Sequence, residues 1–305
     1  MSSKASITSK TSKSKKGRAV VARGGKKRRK WPWVLGSLAA FLSVNIYLSN
    51  YTLQLNRLTV WLPRLPSAFD GFRVVLLSDW HSARYGDNNE KLLDMIRNES
   101  PDIIAMTGDF VESLSDLAGF GTLCRALADI APCYYVTGNH EWGGRAAREA
   151  RAMAGECGVV NLDNAWEYLT RQGQSICLVG IEDLGGPKDQ LSVAEVAKMA
   201  RGGDNPFLLM LCHRYDRWYS FVDQRVDLTL AGHAHGGVIR LPFTDGLYGP
   251  GHVFLPQRTS GISREGGAVM VTSRGLGNPE RIPMRLFNPP EVLSLTLRAG
   301  ENKTP

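Results

Sequence analysis

The sequence predicts an α/β protein built largely on parallel strands and preceded by a single membrane-spanning helix. Three observations predict it. Short apolar runs alternate with segments of helical spacing through most of the chain, the pattern of a parallel sheet covered by helices. Near the C-terminus, residues 238–241, 268–271 and 292–295 read as strands with little helix between them, implying a second, partly antiparallel sheet. An uncharged stretch over 31–55, apolar from 34 to 48, follows a strongly basic N-terminus.

The 305 residues carry a formal net charge of +8, but the excess is not evenly spread. Residues 1–30 hold 12 Lys and Arg and no Asp or Glu, leaving 25 basic against 29 acidic residues in 31–305. The body is therefore slightly acidic, which argues against a nucleic-acid-binding core, since such a fold carries its own basic patch. The first 30 residues have almost no large apolar side chain and read as a disordered tail. Residues 31–50 read as an uncleaved anchor. Trp31 and Trp33 at one end and Tyr47 and Tyr51 at the other fit an aromatic belt, and no Ala-x-Ala cleavage site follows the apolar core.

The positive-inside bias places the tail in the cytoplasm and residues 51–305 across the cell membrane. The five cysteines favour the alternative, a cytoplasmic domain. They are odd in number, contain no CxxC, and several sit in apolar runs, so they read as small buried hydrophobes.

After the anchor, residues 51–60 alternate like a half-buried strand. The run 74–77 then reads as a strand covered on both faces, ending in Ser78-Asp79-Trp80-His81. Asp87 with Glu90 three residues on reads as a capping box for a helix through Arg97. A second covered strand, 103–106, ends in Gly108-Asp109, and residues 114–130 carry helical spacing. Tyr134-Tyr135-Val136 ends in Gly138-Asn139-His140-Glu141, with a helix expected over 145–155. The runs 176–179, 207–211 and 228–230 follow, with a helix expected at 191–200. The second of these runs ends in Cys212-His213, the third in Gly232-His233-Ala234-His235-Gly236-Gly237.

Five runs thus end in metal-ligating residue types: Asp79 and His81, Asp109, Asn139 and His140, His213, and His233 with His235. These include five of the six histidines. Ligands gather at the carboxyl ends of parallel strands, so these loops can share one crevice at the edge of one sheet. Carboxylate, amide oxygen and imidazole together suit open sites for Mn, Fe or Zn rather than a closed structural zinc site. The set suffices for two divalent metals about 3.5–4 Å apart, clamping the attacking and leaving oxygens of an in-line displacement.

Asp79-x-His81, Gly108-Asp109, Gly138-Asn139-His140-Glu141, His213 and Gly232-His233-x-His235 resemble, in order, the motif set of calcineurin-like metallophosphoesterases over residues 73–236. Residues 236–242 and Ser273-Arg274-Gly275-Leu276-Gly277-Asn278 are also similar to the bacterial membrane-linked branch. That branch is related to lipid-acting UDP-2,3-diacylglucosamine pyrophosphatases. The resemblance implies a four-layer αββα sandwich with two mixed sheets. It further implies that Asp79, His81, Asp109 and His235 bind one metal, and that Asp109 bridges to a second, completed by Asn139, His213 and His233. His140 would not ligate but face the substrate phosphate and leaving group.

Arg274 follows a strand and can grip phosphate bidentately; the alternative is a surface arginine closing a turn. His252 matches no motif and reads as a loop histidine. The expected activity is hydrolysis of phosphoester or pyrophosphate bonds, with lipid-linked or envelope substrates favoured because an anchored domain reaches them without diffusing. Soluble nucleotides or phosphoproteins are the second reading, and a metal-bound interaction scaffold the third.

Overall fold

The computed structural model describes residues 30–186, 190–241, 244–278 and 285–301, so the basic tail lies outside the described residues. In chain order the elements are helix α1 (Trp31–Tyr51), β1 (Gln54–Leu62), β2 (Arg73–Leu77), α2 (Glu90–Glu99), β3 (Ile103–Thr107), α3 (Leu117–Ala128) and β4 (Cys133–Val136). There follow α4 (Asn139–Gly143), α5 (Ala147–Glu156), β5 (Val159–Asn161), β6 (Trp166–Arg171), β7 (Gln174–Ile181), α6 (Val193–Arg201), β8 (Leu208–Arg214) and α7 (Trp218–Asp223). The chain closes with β9 (Leu228–Gly232), the two-residue strands β10 (Tyr248–Gly249) and β11 (Val253–Phe254), then β12 (Gly261–Glu265), β13 (Ala268–Thr272) and β14 (Glu291–Ala299).

Among the described residues the strands form two six-stranded mixed sheets and the small β10–β11 hairpin. The first sheet runs β1-β14-β2-β3-β4-β5, parallel except where β14 opposes β2. The second runs β12-β13-β9-β8-β7-β6, with antiparallel strands at both edges.

Period-2 alternation makes each central strand serve two cores. In β2, Val74 and Leu76 face the second sheet, whereas Val75 and Leu77 pack under helices with Leu92, Ile96 and Leu123. In β8, Leu209 and Leu211 face the first sheet, and Leu208 and Met210 pack against Val196 and Phe221 of α6 and α7. The layers are therefore helix, sheet, sheet, helix. Each fully buried Val, Leu or Ile contributes about 1.5–3 kcal/mol, so the inter-sheet core and the two helix–sheet cores all stabilise the fold.

Four expectations change. The C-terminal strands do not make a sheet of their own: β14 enters the first sheet between β1 and β2, and β13 enters the second beside β9. The ligand-bearing ends of β8 and β9 belong to the second sheet, so the five loops meet across two sheets rather than along one. Residues 238–241 form no strand; only Ile239 pairs, in an isolated bridge with Leu286. The Asp87–Glu90 capping box is not made, because Asn88 and Asn89 take left-handed backbone and α2 begins without a side-chain cap.

All five cysteines are free and buried. Helix α1, 21 residues with mean hydropathy 1.4, is long and apolar enough to cross a membrane. The compact unit that holds both sheets begins at Phe41, inside this helix and ahead of the boundary expected at residue 51.

Candidate metal centre

The loops after β2, β3 and β4 in one sheet, and the C-terminal end of β8 with the loop after β9 in the other, converge on one volume. Asp79, His81, Asp109 and His235 place one ligating atom each within 4.8 Å of one another, and Asp109, His213 and His233 do the same. Asp109 belongs to both groups. Asn139 joins the second through Oδ1, 3.1 Å from His213 Nε2. All the sequence-predicted metal ligands are thus brought together.

Tight turns achieve the convergence. Asp79, His81, Asp109, His233 and His235 all have positive φ, between 46° and 67°. Left-handed backbone in non-glycine residues costs on the order of 1–3 kcal/mol each and clusters at functional sites. Gly108 (φ 76°) is forced by geometry, since a Cβ there would lie 2.7 Å from the Gly138 backbone and from His213 Nδ1. At Gly232 close approach requires glycine: a Cβ would collide with Ser78 Oγ and lie 2.6 Å from Asp79 Oδ2.

Hydrogen bonds orient the rings. His213 Nδ1 lies 2.8 Å from the Thr107 carbonyl, so it donates there and leaves Nε2, 3.1 Å from Asp109 Oδ2, as the free lone pair. His81 Nδ1 lies 2.6 Å from Glu112 Oε1, which turns Nε2 toward Asp109 at 3.9 Å. His233 N donates to both Asp79 oxygens at 3.1 Å, and Arg214 Nη1 approaches His233 Nε2 at 3.1 Å. Arg214 is itself fixed by Asp183 at 2.8 Å.

Glu141, fully buried, accepts from the backbone N–H groups of Asp109, Phe110, Val111 and Gly138, at 3.0, 2.6, 3.0 and 2.8 Å. One carboxylate therefore ties the loop after β3 to the loop after β4.

The charges conflict. Burial pushes the Asp79 carboxyl up, whereas Asp109, although burial opposes it, is held well below the usual range chiefly by His213. Burial also opposes charge on His213, but Asp109 outweighs it and raises the ring to about 10. Burial drives His233 and His235 well down, helped by His213 and Arg214 at the first and by His81 and Arg285 at the second. Two buried carboxylates amid four imidazoles need added positive charge if both are to be ionised beside neutral rings.

The residues fit metal on a further count: Asp109 Oδ2 and His81 Nε2 are buried with no hydrogen-bond partner among the described residues. Buried polar atoms of that kind call for an explanation, and a cation between them supplies one.

His140 stands at the rim, a quarter exposed, with Nε2 3.9 Å from Asp109 Oδ2 and its ring edge-on to His81 at 4.8 Å. It borders a cavity of ≈ 840 Å³ that also includes Asn139, Arg214, Tyr248 and His252. His252, expected to be a mere loop residue, thus borders the cavity in contact with the Tyr248 hydroxyl. Arg274 does not line it: Nε pairs with Glu291 at 2.8 Å and Nη2 with Gln54 at 2.7 Å, which leaves little of its guanidinium for phosphate.

Glu112, Glu141, Arg214 and Arg285 were not predicted. Glu141 stands inside a quoted motif, Arg214 directly follows His213 and Glu112 lies three residues after Asp109, and that proximity was the available signal. Arg285, fully buried, 3.5 Å from His235 Nδ1 and pushed down to about 10 by burial, carries no sequence signal.

Carboxylates, an amide oxygen and imidazoles around one small volume, at the mouth of a cavity, make the arrangement of a metal-dependent hydrolase of phosphoesters. The chain belongs to the calcineurin-like phosphoesterase family, whose model matches residues 72–237, more than half its length. It is 29% identical to the uncharacterized metallophosphoesterase YkuE of Bacillus subtilis strain 168, over 83% of this chain and 88% of that protein. Identity is 28% to the phosphodiesterase YaeI of Escherichia coli K12, over 74% and 82%. It is 26% to the UDP-2,3-diacylglucosamine pyrophosphatase LpxG of Chlamydia muridarum, over 79% and 88%.

Proposed function

We propose that this chain is a membrane-anchored, dinuclear-metal phosphoesterase acting on phosphodiester or pyrophosphate bonds of lipid-linked or envelope substrates. Helix α1 is the anchor, and the basic tail lies on the cytoplasmic side with the catalytic domain opposite. Asp79, His81, Asp109 and His235 would hold one ion, and Asp109, Asn139, His213 and His233 the other. Two divalent ions (Mn, Fe or Zn) supply charge stabilisation at the phosphoryl oxygens and a more acidic attacking water.

The chain's own residues do the rest. Asp109 joins the two ligand sets, Glu112 and the Thr107 carbonyl fix the tautomers of His81 and His213, and Glu141 holds the loops in register. His140, directly after Asn139 and open to the cavity, donates a proton to the departing oxygen. The observation that carries this reading is that both ligand groups meet at Asp109, whose Oδ2 is buried without a hydrogen-bond partner among the described residues. A diester or pyrophosphate preference draws support from the activities named for the YaeI and LpxG relatives.

Metal content and hydrolysis of bis-p-nitrophenyl phosphate, measured on the full chain, test it. The parent holds two ions, and Asp109→Ala loses both together with activity. An Asp109→Ala variant with full metal content overturns the bridging assignment. A metal-replete parent inert toward phosphoesters overturns the catalytic one.

A further inference from the structure

Outside α1, the exposed apolar side chains include one run of three, at the cavity's own hairpin: Val253, Phe254 and Leu255, exposed by 49%, 71% and 51%. Tyr248 pairs with Phe254 and Gly249 with Val253, and the connecting residues 250–252 line the cavity. A short, exposed apolar tip on the cavity wall contributes nothing to the core. Its chemistry suits a partner that is itself apolar.

A ladder of backbone bonds ties that tip to α1. Leu255 N donates to Leu247 O at 3.0 Å, and Leu247 N donates to Ile239 O at 2.7 Å. Ile239 bridges to Leu286, and Arg240 N donates to Leu286 O at 2.9 Å. The strap around Leu286 is held by α1: Asn45 Oδ1 accepts from Phe287 N at 2.7 Å, Ser49 Oγ from Asn288 N at 3.2 Å, and Asn50 Oδ1 from Arg285 N at 3.1 Å. Three strand-like spacings of about 4.8 Å therefore separate the anchor's strap from the apolar tip.

Length then sets depth. The 21 residues of α1 rise about 31 Å at 1.5 Å per residue, and a hydrocarbon core is about 30 Å thick, so a spanning α1 has almost no residues to spare. Asn45, Ser49 and Asn50 lie in its last two turns, within about 9 Å of its end, so the strap docked on them sits at the headgroup–acyl boundary.

We propose that Val253, Phe254 and Leu255 form a membrane-dipping tip. They enter the headgroup–acyl boundary of the bilayer that holds α1, so that the cavity bordered by Tyr248 and His252 opens onto the lipid surface. The proposal rests on reading α1 as an anchor. The partner is the bilayer interface, and the tip brings a surface-held phosphoester to the metal centre without full extraction from the membrane.

Site-directed spin labelling of the full chain in nanodiscs of phosphatidylcholine and phosphatidylglycerol tests it. The five native cysteines are buried, so single labels at Phe254→Cys, Leu38→Cys on α1 and the exposed Tyr219→Cys report cleanly. Collision with oxygen, enriched in lipid, is compared with collision with a water-soluble nickel chelate. The expected result is an oxygen-favoured label at Leu38 and Phe254 and a nickel-favoured one at Tyr219. Oxygen at Leu38 with nickel at Phe254 overturns the tip and leaves the anchor standing. Nickel at Leu38 overturns the anchor, and the tip with it. A Phe254 label shielded from both reagents, or broadened until diluted with unlabelled chain, means a protein or a second copy covers the tip, and overturns the proposal.

Discussion

Replacing Glu141 with Gln isolates what one buried carboxylate does for the site. In the parent, two oxygens accept from four backbone N–H groups, those of Asp109, Phe110, Val111 and Gly138. In Glu141→Gln a single carbonyl oxygen serves two of these donors, and the amide NH2 faces the other two, donor against donor. Losing two charge-assisted hydrogen bonds at about 1.5–3 kcal/mol each removes about 3–6 kcal/mol. At about 2–4 °C per kcal/mol for a chain this long, the melting midpoint falls by on the order of 10 °C. Asp109 follows Gly108 in the tethered loop, so metal content falls as well. Differential scanning fluorimetry on the detergent-solubilised full chain, with elemental analysis, reads both effects. Glu149→Gln, which loses only a surface contact with Arg148, serves as the control and moves little. An unchanged midpoint in Glu141→Gln refutes the reasoning, because Gln mimics a protonated carboxyl and its tolerance would mean that no ionised group is needed.

Three further outcomes follow from the geometry. His140→Ala keeps both metals and loses about 10²–10⁴-fold on alkyl phosphoesters, which need a protonated leaving group, but far less on p-nitrophenyl esters; equal losses would reassign the ring to charge stabilisation. Asn50→Ala removes two hydrogen bonds to the Arg285 backbone, 3.1 and 3.0 Å long, and lowers stability by about 1–3 kcal/mol in thermal melts. If its midpoint is unchanged, α1 does not brace the strap. The Glu99 carboxyl is lowered below its ordinary 4.5, chiefly by its hydrogen bond to Arg57, so the pair's stabilisation is present above pH 4.5 and fades as pH falls through the lower folded value. Because Arg57 is exposed, the gap between parent and Glu99→Gln is small at pH 7 and closes in acid; a gap that widens in acid contradicts the assignment.

The ligands were legible because a strand covered on both faces is largely apolar, so polar residues at and just past its end stand out. Asp79, Asp109, Asn139 and His233 follow their strands within three residues, and His213 breaks the apolar run inside β8. Sheet membership was not legible. The runs 268–271 and 292–295 look alike, yet pairing between distant segments sends one to each sheet. Residues 238–241 look like a strand but find a single bridging partner, because the next chain alongside, around Leu286, is held by α1 instead of a sheet. Arg274 has the right position for an anion and fails because Glu291, 17 residues later, neutralises it. Arg285 is invisible in sequence, since a buried arginine depends on carbonyls gathered by tertiary structure, here those of Arg274 and Gly277.

The left-handed backbone at five ligand positions sets folding and activity against each other. Asp79, His81, Asp109, His233 and His235 each occupy a conformation that glycine, and to a lesser degree asparagine, adopts more easily. Variants selected only for solubility or heat resistance would drift toward those two residues at these five sites, gaining stability while losing five of the seven side chains proposed to hold metal. Selection for turnover would pull the other way, toward side chains the backbone resists. A sequence library sorted by each criterion in turn would therefore mark out the catalytic loops by where the two preferences diverge, with no substrate in hand.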